Sequence, residues 1–553
     1  MPRLAHLVDI ARTATIATAI AIEPANPVPD TTPSSNSPLE SWIGLFPGRD
    51  FRLATGRCTD CAAIPQALWY FADETIAAPR AGQPVAGFTP AVTLRQDLDR
   101  WASTHTAEDS IDEPPLVWIG APEVLRGARL STGGRFIDAA GQRNAFALVP
   151  KLPLNRSYYD DSSTAFLASR SLSLRGHASD QTFVARTIWP EDFRLESDGT
   201  LRTLEASPRA LRALVRAEPR GGAQSPFVAS LLWERSPGRA RQCENAPVLA
   251  VLLNGAQGDD DEAHGGHFAL VTGRVGPDGA MGDWLANNFY SLDLVSEKGI
   301  LASMLPLDNY LADLNSGQAW YRPSYLLVAV LRHETAASRI QGALERTYNH
   351  FYRHQLVYRH STMNCAGVSV DVLRALGWRV PSRGATSWIT AALSVPYFTL
   401  RKRNLRTARD AFDYLTEDQT RLFPAVAFEE IGADLLRMAT GAAKREPTPL
   451  ESTLAQDLEA IFFVRVPQLP SSRAWGDYPV ASAREYHARV PSDPAKRQII
   501  PVPERPFPEH LRDPDVAAPP RQRSDIAVAM WAALSVVGIP WLVWRWWRGR
   551  AAA

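Results

Sequence analysis

The chain has little cysteine: four in 553 residues, at positions 58, 61, 243 and 365. A disulfide framework carries several bridges in a short chain, so none is expected here. An excess of charge is also missing. The 59 basic residues balance the 59 acidic ones, for a formal net charge of +0. With no basic surplus to neutralise phosphates, nucleic acid is not an expected partner. Cys58-Thr-Asp-Cys61 lacks the second pair that would complete a zinc site, so structural or incidental use is the expectation. No cofactor and no metal are expected. What is present is an ordinary apolar content and enough length for two or three domains. The 43 prolines predict many loops and extended linkers.

The most informative stretch is residues 361–368, STMNCAGV. Asn364 is a good N-cap, because its side-chain oxygen can accept from an unpaired N–H of a helix's first turn. Val368, Val372, Leu373 and Leu376 fall on one helical face, and Gly377 with Pro381 gives a stop signal. Cys365 therefore opens a helix, where the dipole favours a thiolate. Upstream, His267 opens the apolar run 268–275. The turn Gly276-Pro277-Asp278-Gly279 and a second strand-like run, 283–292, complete a β-hairpin signal. Asn287 or Asn288 would lie across from His267. A cysteine, a histidine and a polar orienter are the minimal set for thiol catalysis.

In papain-like thiol enzymes the cysteine helix precedes the histidine strand. Here the order is His, Asn, Cys. That order resembles the circularly permuted branch that includes the lecithin retinol acyltransferase-like proteins. It also resembles the periplasmic domain of bacterial lipoprotein N-acyltransferases. The matching features are Gly266-His267 at a strand start, the partner strand, and the aromatic helix 348-YNHFYRH-354 running into Asn364-Cys365, within about residues 245–380. The resemblance implies Cys365 as nucleophile and His267 as base. Hairpin register decides the third member, and Asn288 is the expected one. The acidic loop Asp259-Asp260-Asp261-Glu262 departs from the pattern.

The fold expected is α+β, with a small antiparallel sheet packed against helices as a permuted papain-like core. The expected organisation runs along the chain. Residues 1–40 are a weak signal-like segment and linker, 41–240 an N-terminal α+β region, and 241–400 the catalytic domain. Residues 401–445 are a helical extension containing the basic cluster Arg401, Lys402, Arg403 and Arg406, and 446–525 are a proline-rich linker. Residues 526–544 run nineteen positions without a charge, enough to cross a bilayer, with Trp541, Trp544, Trp546 and Trp547 at the far end as an interfacial belt. The arginines around it favour a cytoplasmic tail and a bulk domain in the periplasm. The expectation is a membrane-anchored thiol acyltransferase or hydrolase acting on lipid-linked, peptide or envelope substrates. Two rivals are a non-catalytic envelope binding module and a metal-dependent hydrolase using His264, His267 and the acidic loop. Gly265-Gly266 rules out the helical HExxH form of the latter.

Overall fold

The structure is a computed structural model describing residues 43–47, 75–79, 92–104, 117–121, 123–150, 159–195, 201–290, 303–352, 356, 358–472 and 474–498. The signal-like segment, Cys58 and Cys61, and residues 526–544 lie outside the described residues. Among the described residues no helix is long and apolar enough to cross a membrane.

The chain is α+β. It opens with β1 (Ile43–Pro47), β2 (Thr75–Pro79), α1 (Leu94–Thr104) and β3 (Val117–Gly120). There follow β4 (Glu123–Leu130), β5 (Phe136–Ala139), β6 (Gln142–Leu148), α2 (Asp161–Ala168), β7 (Leu172–Ser179) and β8 (Thr182–Pro190). Next come α3 (Pro208–Val215), β9 (Val228–Glu234), β10 (Pro247–Asn254), β11 (His267–Arg274), β12 (Leu285–Asn288), β13 (Ser303–Pro306), α4 (Leu307–Ala312) and β14 (Ser324–Leu331). The C-terminal part holds α5 (Thr335–Tyr352), α6 (Cys365–Ala375), α7 (Trp388–Lys402), α8 (Leu405–Thr416), α9 (Gln419–Leu422), α10 (Pro424–Ala439), α11 (Pro449–Asp457), β15 (Leu458–Val466) and α12 (Ala483–Arg489).

The expected small sheet is a ten-stranded one, in the order β1-β2-β3-β13-β12-β11-β10-β14-β15-β9. Its pairs are antiparallel except β13 with β3. The hairpin around His267 is only its middle. Strands from the N-terminal region join it on both flanks, so that region is not a separate unit: β1 to β3 lie on one side and β9 on the other, while β4 to β8 close into a barrel. Local pattern reveals a hairpin but not its distant partners.

The expected linker is also corrected. Within residues 446–498, α11 is closed by a capping box between Thr448 and Glu451, and β15 sits between β14 and β9. All nine residues of β15, LEAIFFVRV, are buried. A strand covered on both faces reads as one apolar run and shows no alternation. The neighbouring prolines hide it. The α10 part of the helical extension likewise belongs to the core. In α10, Phe428 and Ile431 are fully buried, and buried Glu429 pairs with Arg212 and Arg383. Packing of this kind, at about 25 cal/mol per Å² of apolar surface, is what holds such a sheet to its helices.

Candidate functional site

The site forms at one end of three adjacent strands. Asn254 on β10 stands opposite His267 on β11 and Ser324 on β14. Gly266 makes the entry to β11 possible. It takes φ +73°, and a Cβ there would come within 2.4 Å of the Asn254 carbonyl oxygen and 2.7 Å of Pro479.

Hairpin register separates the two asparagines. Leu270 faces Asn287, so Asn288 shares the His267 side of the sheet. His267 Nε2 lies 2.6 Å from Asn288 Oδ1. An amide oxygen only accepts, so Nε2 carries the proton and Nδ1 keeps the lone pair. Asn287 turns the other way. Its Nδ2 donates to the Leu270 carbonyl at 3.2 Å and to Gln341 Oε1 at 3.0 Å.

Cys365 is the first residue of α6, as expected. Asn364 caps the helix, its Oδ1 accepting from Gly367 N–H at 3.0 Å. Its Nδ2 donates to the Leu422 carbonyl at 2.8 Å, which ties the helix start to α9. The thiol is buried, with 3% exposure. Burial pushes its pKa up, against N–H groups of Phe268 and Ala366, the Tyr358 hydroxyl and the positive charge of Arg322, all of which favour the thiolate. Phe268 adjoins His267, so the sulfur meets the histidine strand at its first peptide. No direct hydrogen bond joins thiol and imidazole. Contacts between catalytic groups are often long in unliganded sites and tighten around substrate. His267 is buried as well, with 4% exposure. Burial, with the nearby Arg322 charge, pulls its pKa down to about 3, so the imidazole is neutral at ordinary pH. The resting pair is a thiol and a neutral imidazole.

Two residues of the site, Tyr310 and Arg322, escaped the reading of the sequence, whereas Tyr358 is one of four residues, with Tyr348, His350 and Tyr352, that the sequence offers as a cleft lining. Tyr358 Oη accepts from Cys365 N–H at 3.4 Å and also contacts the thiol. Burial holds its hydroxyl protonated well above the usual phenol range, so it remains a donor. Tyr310 donates to Asn254 Oδ1, and Asn254 Nδ2 donates to Ser324 Oγ at 2.8 Å. Arg322 is a buried cation. Its Nε and Nη2 donate to Gln318 Oε1 at 2.8 and 2.6 Å, and Nη1 to the Gly255 carbonyl at 3.4 Å. No carboxylate is within ion-pair distance of it among the described residues, while Tyr310, Tyr290, Cys365 and the Asp260 carboxylate lie within its electrostatic reach. An arginine in the run Trp320-Tyr321-Arg322-Pro323 was the available signal.

The remaining candidates lie elsewhere. Tyr348 stacks on Phe289 at 4.2 Å and belongs to the core, and His350 binds Asp97 at 2.9 Å. His264 and His267 have different partners. His264 Nε2 meets Asp261 Oδ1 at 3.1 Å, and Asp261 also accepts from Gln498 N–H at 2.8 Å. The acidic loop thus ties its own turn to residue 498. Among the described residues no group of three or more His, Cys, Asp or Glu side chains is arranged to hold a metal. Comparison with known proteins adds no outside guide: no family model, no curated protein and no solved structure matches this chain.

Proposed function

We propose that this chain is a thiol acyltransferase or hydrolase with Cys365 as nucleophile, His267 as base and Asn288 as the group that orients the imidazole. The observation that carries the reading is the 2.6 Å contact from His267 Nε2 to Asn288 Oδ1, which leaves the Nδ1 lone pair open to a proton on the residue before Phe268, whose N–H meets the Cys365 sulfur. Nδ1 takes the thiol proton. The sulfur attacks an ester or amide carbonyl, forming the S–C bond of a tetrahedral intermediate. Cys365 N–H and the Tyr358 hydroxyl, which satisfy each other at rest, are placed to donate to its oxyanion. The C–O or C–N bond then breaks, and the leaving group departs with the proton held on His267. Water, an alcohol or an amine repeats the sequence in reverse and frees the thiol. Arg322 offers the buried positive charge that a thiolate or oxyanion lacks elsewhere in the site.

The resemblance to permuted papain-like enzymes supports the same reading and extends it to a papain-like core. In this reading residues 526–544 anchor the chain, and the flanking arginines favour a periplasmic bulk facing lipid-linked, peptide or envelope substrates. The test is to expose the full-length protein to a p-nitrophenyl acyl ester and measure intact and peptide masses. The expected result is one acyl group on Cys365 with release of p-nitrophenolate, lost in Cys365→Ala and His267→Ala at unchanged melting temperature. Acylation that survives Cys365→Ala refutes the proposal.

A further inference from the structure

The helical hairpin of α7 and α8 has its own small core, separate from the main one. Val395, Phe398, Ala408 and Ala411 fill it, with Tyr397 and Phe412 packed alongside. The turn between the helices is tight: Arg403 takes φ +48°, and Asn404 Oδ1 caps α8 through Arg406 N–H at 2.9 Å. What this hairpin leaves in water is unusual. From 388 to 416, the exposed apolar side chains are Trp388, Ile389, Leu393, Leu400 and Leu405, with exposures from 55% to 76%. The exposed charged ones are Arg401, Arg403 and Arg406. No exposed acidic or amide side chain is found among the described residues of the hairpin. Its acids, Asp410 and Asp413, are half buried and held by Arg409, Arg406 and Arg359.

The order of these residues matters as much as their type. Ile389, Leu393, Pro396 and Leu400 follow one another at helical spacing and form a single stripe along α7. The basic residues gather at the hairpin tip, where that stripe ends. Scattered exposed leucines need no explanation, but a continuous stripe does. A protein-facing patch carries a mixed polar rim. An apolar stripe bordered by cations alone, with a tryptophan at its far end, is the chemistry of a helix that lies in the headgroup layer of an anionic bilayer.

We infer that α7 and α8 dock on an anionic lipid surface, apolar stripe inward and Arg401, Arg403 and Arg406 against the headgroups. This surface is independent of the thiol chemistry and of residues 526–544. It is nonetheless next to the candidate site. Arg359, in the turn that leads into Cys365, is within electrostatic reach of Asp410 and Asp413 on α8, and Arg374 of α6 pairs with Asp418, just beyond the hairpin, at 2.8 Å. A docked hairpin holds the start of α6 close to the lipid.

The experiment uses the full-length chain reconstituted into phosphatidylcholine vesicles with and without phosphatidylglycerol. A photoreactive diazirine residue is placed at Leu393 or Leu400, and at Leu201 as an exposed control away from the hairpin. The expected result is lipid adducts at 393 and 400, several-fold above the control and dependent on phosphatidylglycerol. Replacing Arg401, Arg403 and Arg406 by glutamate reduces them, by roughly fivefold for each arginine near the surface. Adducts at the control level, or crosslinks from 393 and 400 to a second copy or to another segment of the same chain, overturn the inference. Labelling of Cys365 in the same samples reports separately on the thiol reading, so failure of one is distinguishable from failure of the other.

Discussion

Asn287 and Asn288 are neighbours of one chemical type with opposite surroundings, and this makes them a test pair. Asn288→Ala removes the acceptor that fixes the imidazole tautomer. It is expected to lower the acylation rate of Cys365 by roughly tenfold or more in the folded fraction, and to cost about 1–3 kcal/mol because it strands the buried Nε2–H. Asn287→Ala removes a donor to the buried Leu270 carbonyl and one partner of Gln341, which keeps Thr272, Met304 and Glu345. It is expected to cost about 1–3 kcal/mol in urea unfolding while the folded fraction still acylates. Tyr358→Phe keeps the ring and deletes one oxyanion donor, so the rate should fall about a hundredfold with binding little changed. Equal rates for Tyr358→Phe and the parent would remove Tyr358 from the chemistry.

The His267 pKa makes a prediction with a definite sign. Its folded value of about 3 lies below the 6.5 of an unfolded histidine. Between those values the unfolded chain binds a proton that the folded chain refuses, so stability rises with pH. The contribution is complete above about pH 6.5 and is lost as pH falls toward 3, with a limit of about 5 kcal/mol. Urea midpoints across this range should fall less steeply for His267→Gln than for the parent. Parallel curves would mean that the ring is solvated.

At the scale of elements, the start of α6 is the most exacting. Asn364→Ala loses the cap on Gly367 N–H together with the ties to Leu422 and His360. The cap alone is worth about 1 kcal/mol. The melting temperature should drop, and the acylation rate of Cys365 should drop with it, because the helix start positions the sulfur. This element was legible in the sequence. Cap, apolar face and stop signal are encoded within one short stretch, and α6 runs over Cys365–Ala375 with Gly377 at φ +99° just beyond. The hairpin was legible for the same reason, but its register was not: Asn288 was only the expected choice, and the pairing of Leu270 with Asn287 is what sets it on the His267 side. Tyr310 and Arg322 were not legible. Each matters because of where the chain returns in space, and neither belongs to a short motif. The strand β15 was hidden for a different reason, since its burial on both faces removes the alternation by which a strand is recognised.

At the scale of the whole molecule, the large sheet ties together segments far apart in the chain. A chain ended at residue 445 keeps Cys365, His267 and Asn288, and would remain active if the following stretch were a spacer. The structure predicts otherwise. Such a chain lacks α11 and β15, and exposes β14 and β9 along edges that are paired in the intact protein. It is expected to be insoluble or unfolded by circular dichroism. In the intact chain, Phe462→Ala should cost about 3–5 kcal/mol, as for other fully buried phenylalanines. A well-folded truncation would show that β15 is dispensable.

The late position of β15 also governs how the protein is made. A ribosome releases β14 with its apolar edge bare, and that edge stays open while residues 332–457 are being synthesised. Unpaired edges of this kind invite mispairing with other nascent chains. The nucleophile emerges during that interval, on a sheet that is not yet complete. Chains arrested before residue 458 should therefore be protease-sensitive and unreactive toward an acyl ester, and those arrested well beyond 466 resistant and reactive. Reactivity would then arrive late in translation, all at once, when the last central strand slides into place.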